Sequence, residues 1–217
     1  MVNNAGAVLP VGVLPPLRRP DARIGLFGGT FDPVHLGHLA VARAALSQLN
    51  LDHLFFIPAT QAPMRNEAPD ASAADRLNLL DLAIREAADP RLSLLDLEVR
   101  AGGVNYTVDT VRKLRAEWPR AELFWLLGSD QLAQLDRWRE PAELAKLVTF
   151  AVLDRPGTLS ATPPPVLSGV LRWQRLNSPP HPAQSAEIRR RRKAGESVDL
   201  WLPRAVAAAI EEKKLYC

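Results

Sequence analysis

The chain has 217 residues, of which 47% are hydrophobic and 24% charged, with a formal net charge of +3. That length fits one domain with a sizeable core, and so small a charge excess lacks the broad basic footprint of a nucleic-acid-binding surface. The single cysteine, Cys217, excludes an internal disulfide and a Cys/His metal cluster, and it agrees with a reducing compartment.

Residues 1–22 are rich in Pro, Gly and Val and are read as a flexible N-terminal arm, with the folded domain running over 23–217. Pro10, Pro15 and Pro16 break the arm's apolar stretch, which is too short to span a bilayer, and no charged secretion-signal start precedes it. A cytoplasmic protein with no membrane association is expected.

The apolar run Ile24–Phe27 predicts a buried strand over Arg23–Gly28. It leads into Gly28-Gly29-Thr30-Phe31-Asp32-Pro33-Val34-His35-Leu36-Gly37-His38, the most informative stretch of the chain. Gly28 and Gly29 let backbone approach a phosphate closely, and the first N–H groups of a following helix supply partial positive charge. Pro33 suits the helix entrance, where its missing N–H costs little. His35 and His38, three apart, share one face of a helical turn and can both donate to one polyphosphate. Two histidines are too few ligands for a closed zinc site, so the stretch reads as a nucleotide-phosphate site with no protein-bound metal.

Leu36, Leu39, Ala40, Ala44 and Leu46 then recur with helical spacing, with a helix predicted over Val41–Leu49. Further strands are predicted at Leu54–Ile57, Leu92–Asp96, Leu123–Gly128 and Thr149–Leu153, and helices at Ala73–Ala88, Val108–Glu117 and Pro141–Lys146. This alternation argues a single α/β domain with a doubly wound parallel sheet. Ligands of such sheets lie beyond the carboxyl ends of the strands, where Gly28-Gly29, Pro58-Ala59, Gly128-Ser129 and Asp154-Arg155 would emerge together.

Asp52 stands about 20 residues past the first turn, as a dinucleotide-binding acid would, but neither Gly-x-Gly-x-x-Gly nor a P-loop sequence is present. Trp118, Trp125, Trp173 and Trp201 read as packing residues, and Ser160–Pro165 and Asn177–Pro182 as proline-rich loops. The run Arg189–Lys193 reads as a helix whose basic residues spread to solvent. Taken singly, Tyr106, Thr107 and Asp130 read as loop or helix-cap residues and Arg65 and Arg155 as loop charges.

At the eleven-residue stretch the chain resembles the nucleotidyltransferases with a His-x-Gly-His motif, and among them the nicotinate-nucleotide adenylyltransferases, which make deamido-NAD from nicotinate mononucleotide and ATP. Pro58–Arg65, Arg76–Ile84, Asn105-Tyr106-Thr107, Leu127-Gly128-Ser129-Asp130, Trp138, Val148–Phe150, Arg155-Pro156-Gly157 and Ser185–Arg189 follow in the family's order. The resemblance implies a Rossmann-like nucleotidyltransferase fold. It implies that His35 and His38 hold the ATP phosphates within the loop Gly28, Gly29, Thr30, Phe31 and Asp32, and that Ser185 and Arg189 bind them from the other side. Gly128 and Asp130 would sit by the adenosine ribose, Tyr106, Thr107 and Trp138 would frame the pyridine ring, and Arg155 would face the nucleotide. Magnesium is expected with ATP as substrate, and a homo-oligomer is compatible with the family.

The chain departs from the family's Pro-Pro-His-Lys loop, with Ala62-Pro63-Met64-Arg65, and from its Ser-Ser-Thr-x-Ile-Arg, with Gln184-Ser185-Ala186-Glu187-Ile188-Arg189. Met64 cannot donate as a histidine does, whereas Arg65 keeps a positive charge with a planar fork. Ala186 removes a hydroxyl. Adenylylation of phosphopantetheine or nicotinamide mononucleotide, or a non-catalytic nucleotide-binding module, stand as alternatives at this point. A class I aminoacyl-tRNA synthetase would need a Lys-Met-Ser-Lys-Ser counterpart that the sequence lacks.

Overall fold

Near-continuous apolar strands such as His-Leu-Phe-Phe-Ile-Pro and Glu-Leu-Phe-Trp-Leu-Leu-Gly require a sheet covered on both faces, and that is the architecture found. The computed structural model describes residues 14–61, 68–153, 162–177 and 181–217. Six strands, β1 (Arg23–Gly29), β2 (His53–Pro58), β3 (Leu92–Leu94), β4 (Glu122–Gly128), β5 (Thr149–Leu153) and β6 (Trp173–Leu176), form one parallel sheet in the order β3-β2-β1-β4-β5-β6.

The helices are α1 (Leu36–Gln48), α2 (Ala73–Ala87), α3 (Leu97–Ala101), α4 (Thr107–Glu117), α5 (Ser129–Leu132), α6 (Pro141–Leu147), α7 (Ser185–Lys193) and α8 (Arg204–Glu212). Alternate strand residues supply two separate cores. Leu54, Phe56 and Leu126 pack with Leu46 of α1, Leu79 and Leu80 of α2 and Val206 and Ile210 of α8. Phe55, Ile57 and Trp125 face the other way, into Val111 and Leu114 of α4 and Leu144 of α6. Ser72 ends the loop before α2 by accepting the Asp75 N–H at 3.1 Å, an N-cap of the usual kind.

The chain winds outward from β1 in both directions, so the topological switch lies between β1 and β4, the place where sheets of this kind bind ligands beyond the strands' carboxyl ends. The predicted doubly wound fold is present, and the structure adds helices α3, α5 and α8, which the sequence reading does not mark. Helix α1 begins at Leu36 instead of Val41 because His35 supplies its N-cap. Strand β3 stops at Leu94, and β6 occupies Trp173–Leu176, between the two loops that the sequence marks.

Asp52 does not lie at the carboxyl ends. Its carboxylate accepts the Arg23 N–H at 2.8 Å and pairs with Arg19 at 2.8 Å, which puts it at the amino ends of β1 and β2, the opposite end of the sheet. The basic run is likewise occupied within the chain. Arg190 and Arg191 pair with Glu187 and Glu196, Arg192 with Glu211, and Lys193 with Asp70. Trp118 and Trp125 are buried in the second core, and Trp201 lies under the Arg191 guanidinium. Among the described residues no helix is long and apolar enough to cross a membrane.

Candidate active site

Strand β1 delivers its last two glycines into a space already filled. A β-carbon at Gly28 would stand 2.5 Å from Cζ2 of Trp125, and one at Gly29 would stand 3.1 Å from the Phe31 ring. At Gly28 no β-carbon fits unless Trp125 shifts, and at Gly29 the Phe31 ring would have to give by a few tenths of an ångström. Beyond Gly29 the chain turns at Phe31, whose φ of 49° is left-handed, and reaches α1 through Asp32, Pro33 and Val34.

His35 caps α1 in extended conformation, and its backbone N–H donates to Nδ1 of His38 at 3.2 Å. Because Nδ1 of His38 accepts, the proton of the neutral ring sits on Nε2, so His38 is set up as a donor on its outer edge. The two imidazoles stack, with centroids 3.7 Å apart and planes 28° off parallel. Phe31 abuts the His38 ring edge-on at 5.0 Å. The i, i+3 spacing thus does what the sequence predicts, placing both rings on one face.

His35 is only 7% exposed, and its Nδ1 is buried without a hydrogen-bond partner. Burial, with a smaller contribution from His181, pushes its pKa down to about 3, so the ring is uncharged at neutral pH. Gly37 keeps this arrangement open, since a β-carbon there would lie 3.0 Å from Cε1 and Nδ1 of His35 and 3.5 Å from the Ala183 carbonyl.

Helix α7 closes the site from the far side of the sequence. The Ser185 hydroxyl donates to the Pro33 carbonyl at 3.0 Å, and Nη1 of Arg189 donates to the Asp32 carbonyl at 2.8 Å, joining residues 152 and 157 positions apart. Nε of Arg189 also meets Asp70 at 3.2 Å. The structure therefore brings His35, His38, Ser185 and Arg189 onto one loop, with Ser185 and Arg189 holding its carbonyls. Asp32 is itself buried, at 3% exposure, with its carboxylate turned to internal donors. Thr30 faces the same loop and gives its carbonyl to Arg76 at 2.8 Å.

Arg76 was not among the candidate site residues, yet it supports the loop. At 1% exposure it donates to the carbonyls of Thr30, Ala59 and Thr60 at 2.8, 2.7 and 3.3 Å, tying the end of β1 to the end of β2. Its sequence signal is slight, an arginine on the helical stripe that otherwise carries Leu79, Leu80 and Ala83.

Across the switch point, Gly128 ends β4 and caps α5, donating its N–H to Oε1 of Gln131 at 3.1 Å. Ser129 is fully buried and Asp130 exposed at the carboxyl edge. Tyr106 caps α4 and lies beneath the Arg139 guanidinium, 4.6 Å from its ring centroid. Thr107 opens α4, and Trp138 follows the 3-10 turn Leu135–Arg137, half-buried against the same core as Tyr106. Glu98, also absent from the candidates, braces this wall. Its buried carboxylate accepts the Thr110 hydroxyl at 2.7 Å, and its carbonyl accepts the Thr60 hydroxyl at 2.8 Å. Burial pushes the Glu98 carboxyl above its ordinary pKa, with Thr110 opposing. Arg65, with Met64, and Arg155 lie outside the described residues.

The geometry can hold an extended anion at the ends of β1 and β4, with imidazole donors, a helix N-terminus and an arginine on one side and an aromatic wall on the other. The comparisons agree with that reading. A cytidylyltransferase-like family model matches residues 26–191. A protein of Opitutus terrae named "Probable nicotinate-nucleotide adenylyltransferase" is 40% identical over 198 residues, covering 89% of this chain and 97% of that one. A Chromobacterium violaceum protein of the same name is 42% identical over 214 residues, covering 90% and 99%. Among solved structures, the Plasmodium falciparum nicotinic acid mononucleotide adenylyltransferase, complexed with NaAD, superposes with a TM-score of 0.73 over 90% of this chain and 97% of that one. At 19% identity that likeness speaks for the fold.

Proposed function

The chain belongs to the nicotinate-nucleotide adenylyltransferases, and on that premise we infer that it is an enzyme of NAD synthesis that transfers AMP from ATP to nicotinate mononucleotide, giving deamido-NAD and pyrophosphate. A phosphomonoester has its second pKa at about 6, so the attacking oxygen is already anionic near neutral pH. That oxygen forms a bond to the α-phosphorus while the bond to the bridging oxygen breaks and pyrophosphate leaves with the electron pair. No proton has to be removed, and the site's task is to align two anions and stabilise charge on the leaving group.

The observation that carries the reading is the stacked His35–His38 pair at the carboxyl end of β1. A neutral His35 suits a reaction without a general base, and the Nε2–H of His38 and the first N–H groups of α1 suit the phosphate oxygens. In this reading Ser185 and Arg189 fix the loop while Arg189 contributes positive charge, and Arg65 and Arg155 add to it. Tyr106, Thr107 and Trp138 frame the pyridine, with Trp138 as the stacking surface, and Gly128 and Asp130 take the ribose. Magnesium would enter on the ATP phosphates, completed by water and neutralising their charge, the usual mode for so reluctantly dehydrated a cation. We place the enzyme in the cytoplasm, as its reduced single cysteine suits.

The test is pyrophosphate release from ATP and magnesium with nicotinate mononucleotide, nicotinamide mononucleotide or phosphopantetheine supplied separately, with His38→Ala as control. Selective release with nicotinate mononucleotide, lost in folded His38→Ala, is expected. Release with another acceptor would overturn the substrate, and none from folded, ATP-binding protein would overturn the enzyme in favour of a binding module.

A further inference from the structure

Asp32 lies three positions before His35, and its carboxylate is a junction of distant segments. Oδ2 accepts the Asp70 N–H at 2.8 Å, and Oδ1 accepts both the Ala71 N–H at 3.1 Å and the Tyr216 hydroxyl at 2.8 Å. Tyr216 comes from the segment after α8 and is 7% exposed. Its φ of 61° is left-handed, as is that of Lys214 at 51°, a conformation that a bulky side chain keeps only where its surroundings over-determine it. The surroundings do so here. The Leu215 N–H bonds the Ile210 carbonyl at 3.0 Å, and Lys213 pairs with Asp75 at 2.6 Å, pinning this segment to α8 and α2.

We propose that Tyr216 is a positioning residue for adenylyl transfer, its hydroxyl holding Asp32 so that the histidine loop and Arg189 keep their places on the triphosphate. The proposal rests on the reading of that loop as the phosphate site. Burial and the adjacent Asp32 carboxylate push the phenol's pKa up, so Tyr216 is a permanent donor at physiological pH. Arg189 is the element most exposed to its loss. Its Nη1 holds the Asp32 carbonyl at 2.8 Å and stands 3.9 Å from Oδ2. A carboxylate relieved of one donor on Oδ1 gains by rotating toward that guanidinium and drawing it inward. The nicotinate wall, built on the other core by Tyr106 and Trp138, is untouched.

The experiment compares Tyr216→Phe, which keeps the ring and deletes the hydroxyl, with Lys213→Ala, which loosens the same segment and leaves the hydroxyl in place. For Tyr216→Phe, kcat for pyrophosphate release should fall between about tenfold and a hundredfold, the range for a small misplacement of reacting groups. KM for nicotinate mononucleotide should stay within about twofold, the pyridine contacts being intact. Lys213→Ala should lower the melting temperature and keep kcat. The proposal is overturned by a Tyr216→Phe kcat within about twofold of the parent protein, by equal kcat losses in both variants, or by a Tyr216→Phe protein unfolded at the assay temperature, which would make the hydroxyl a folding element. An inactive parent protein would instead overturn the adenylyl-transfer reading on which the proposal stands.

Discussion

Gly37→Ala separates the stability of α1 from the chemistry of its first turn, because the two should move independently. Replacing glycine by alanine inside a helix gains about 0.5–1 kcal/mol from reduced unfolded-state freedom. The new methyl would stand 3.0 Å from both Cε1 and Nδ1 of His35. Reaching an ordinary carbon contact of about 3.5 Å or more requires the imidazole to shift by roughly half an ångström. The ring cannot take that shift freely, being stacked on His38 at 3.7 Å and nearly buried. Forcing it off its rotamer costs about 0.5–1.5 kcal/mol, so the two stability terms offset and the melting temperature should stay within a few degrees of the parent's. Turnover should not be spared if His35 holds phosphate as proposed, since a displacement of that size in such a group is worth about tenfold in rate. Steady-state pyrophosphate release and a thermal melt on the same preparation make the comparison. A Gly37→Ala protein with parental kcat would refute the argument that the His35 ring position governs the reaction.

Three further outcomes are expected. Arg76→Met should cost about 2–3 kcal/mol in urea unfolding, because three half-buried carbonyls lose their donor at about 1 kcal/mol each; a much smaller loss would show the loop end to be held by other contacts. His35 is depressed from its ordinary value of 6.5 to about 3, so below pH 6.5 the unfolded chain takes up a proton that the folded chain refuses. Stability therefore falls with acidification through that window by about 1.4 kcal/mol per pH unit. Between pH 6.5 and 5 His35→Gln should be spared about 2 kcal/mol of the parent's loss, and parallel losses in the two proteins would refute the uncharged ring. Chelation of magnesium should stop pyrophosphate release and leave the melting temperature of the ATP-free protein unchanged, whereas a metal resident in the protein would make the melt shift as well.

What the sequence disclosed and what it withheld divide along physical lines. Strands β1, β2, β4 and β5 were legible because burial on both faces makes them unbroken apolar runs, and Thr149–Leu153 matches to the residue. Strand β6 escaped because Trp-Gln-Arg-Leu at the sheet edge has Gln174 and Arg175 exposed, so it has the composition of a loop. The start of helix α1 is legible in the helical spacing of Leu36, Leu39, Ala40, Ala44 and Leu46, while its regular run is drawn only from Val41 because Gly37 weakens the helical pattern and the local capping contact from the His35 N–H to His38 cannot be seen in the letters. The His35–His38 face was read correctly from i, i+3 spacing alone. Arg76 and Glu98 went unread because charged residues are ordinarily taken for surface. Only the fold reveals the carbonyls of Thr30, Ala59 and Thr60 that accept from the Arg76 Nη groups, or the Thr110 hydroxyl that donates to Glu98. The partnership of Tyr216 with Asp32 spans 184 positions, a distance over which no local pattern operates.

That span also sets an order of events during synthesis. The loop with the histidines leaves the ribosome early, yet its clamps at Arg189 and Tyr216 are 157 and 184 residues downstream of Asp32, and at about 5–20 residues per second they follow roughly ten seconds or more later. Until then the nascent protein carries the letters of its proposed phosphate site without the complete shape. The pairing of β1 with β4, and the docking of α7 and the segment after α8 that follows it, are long-range closures of the slow kind. The loop is thus completed last from what was made first, and a stalled, shortened product would keep the early contacts from Arg76, Asp70 and Ala71 while lacking the clamps from Arg189 and Tyr216.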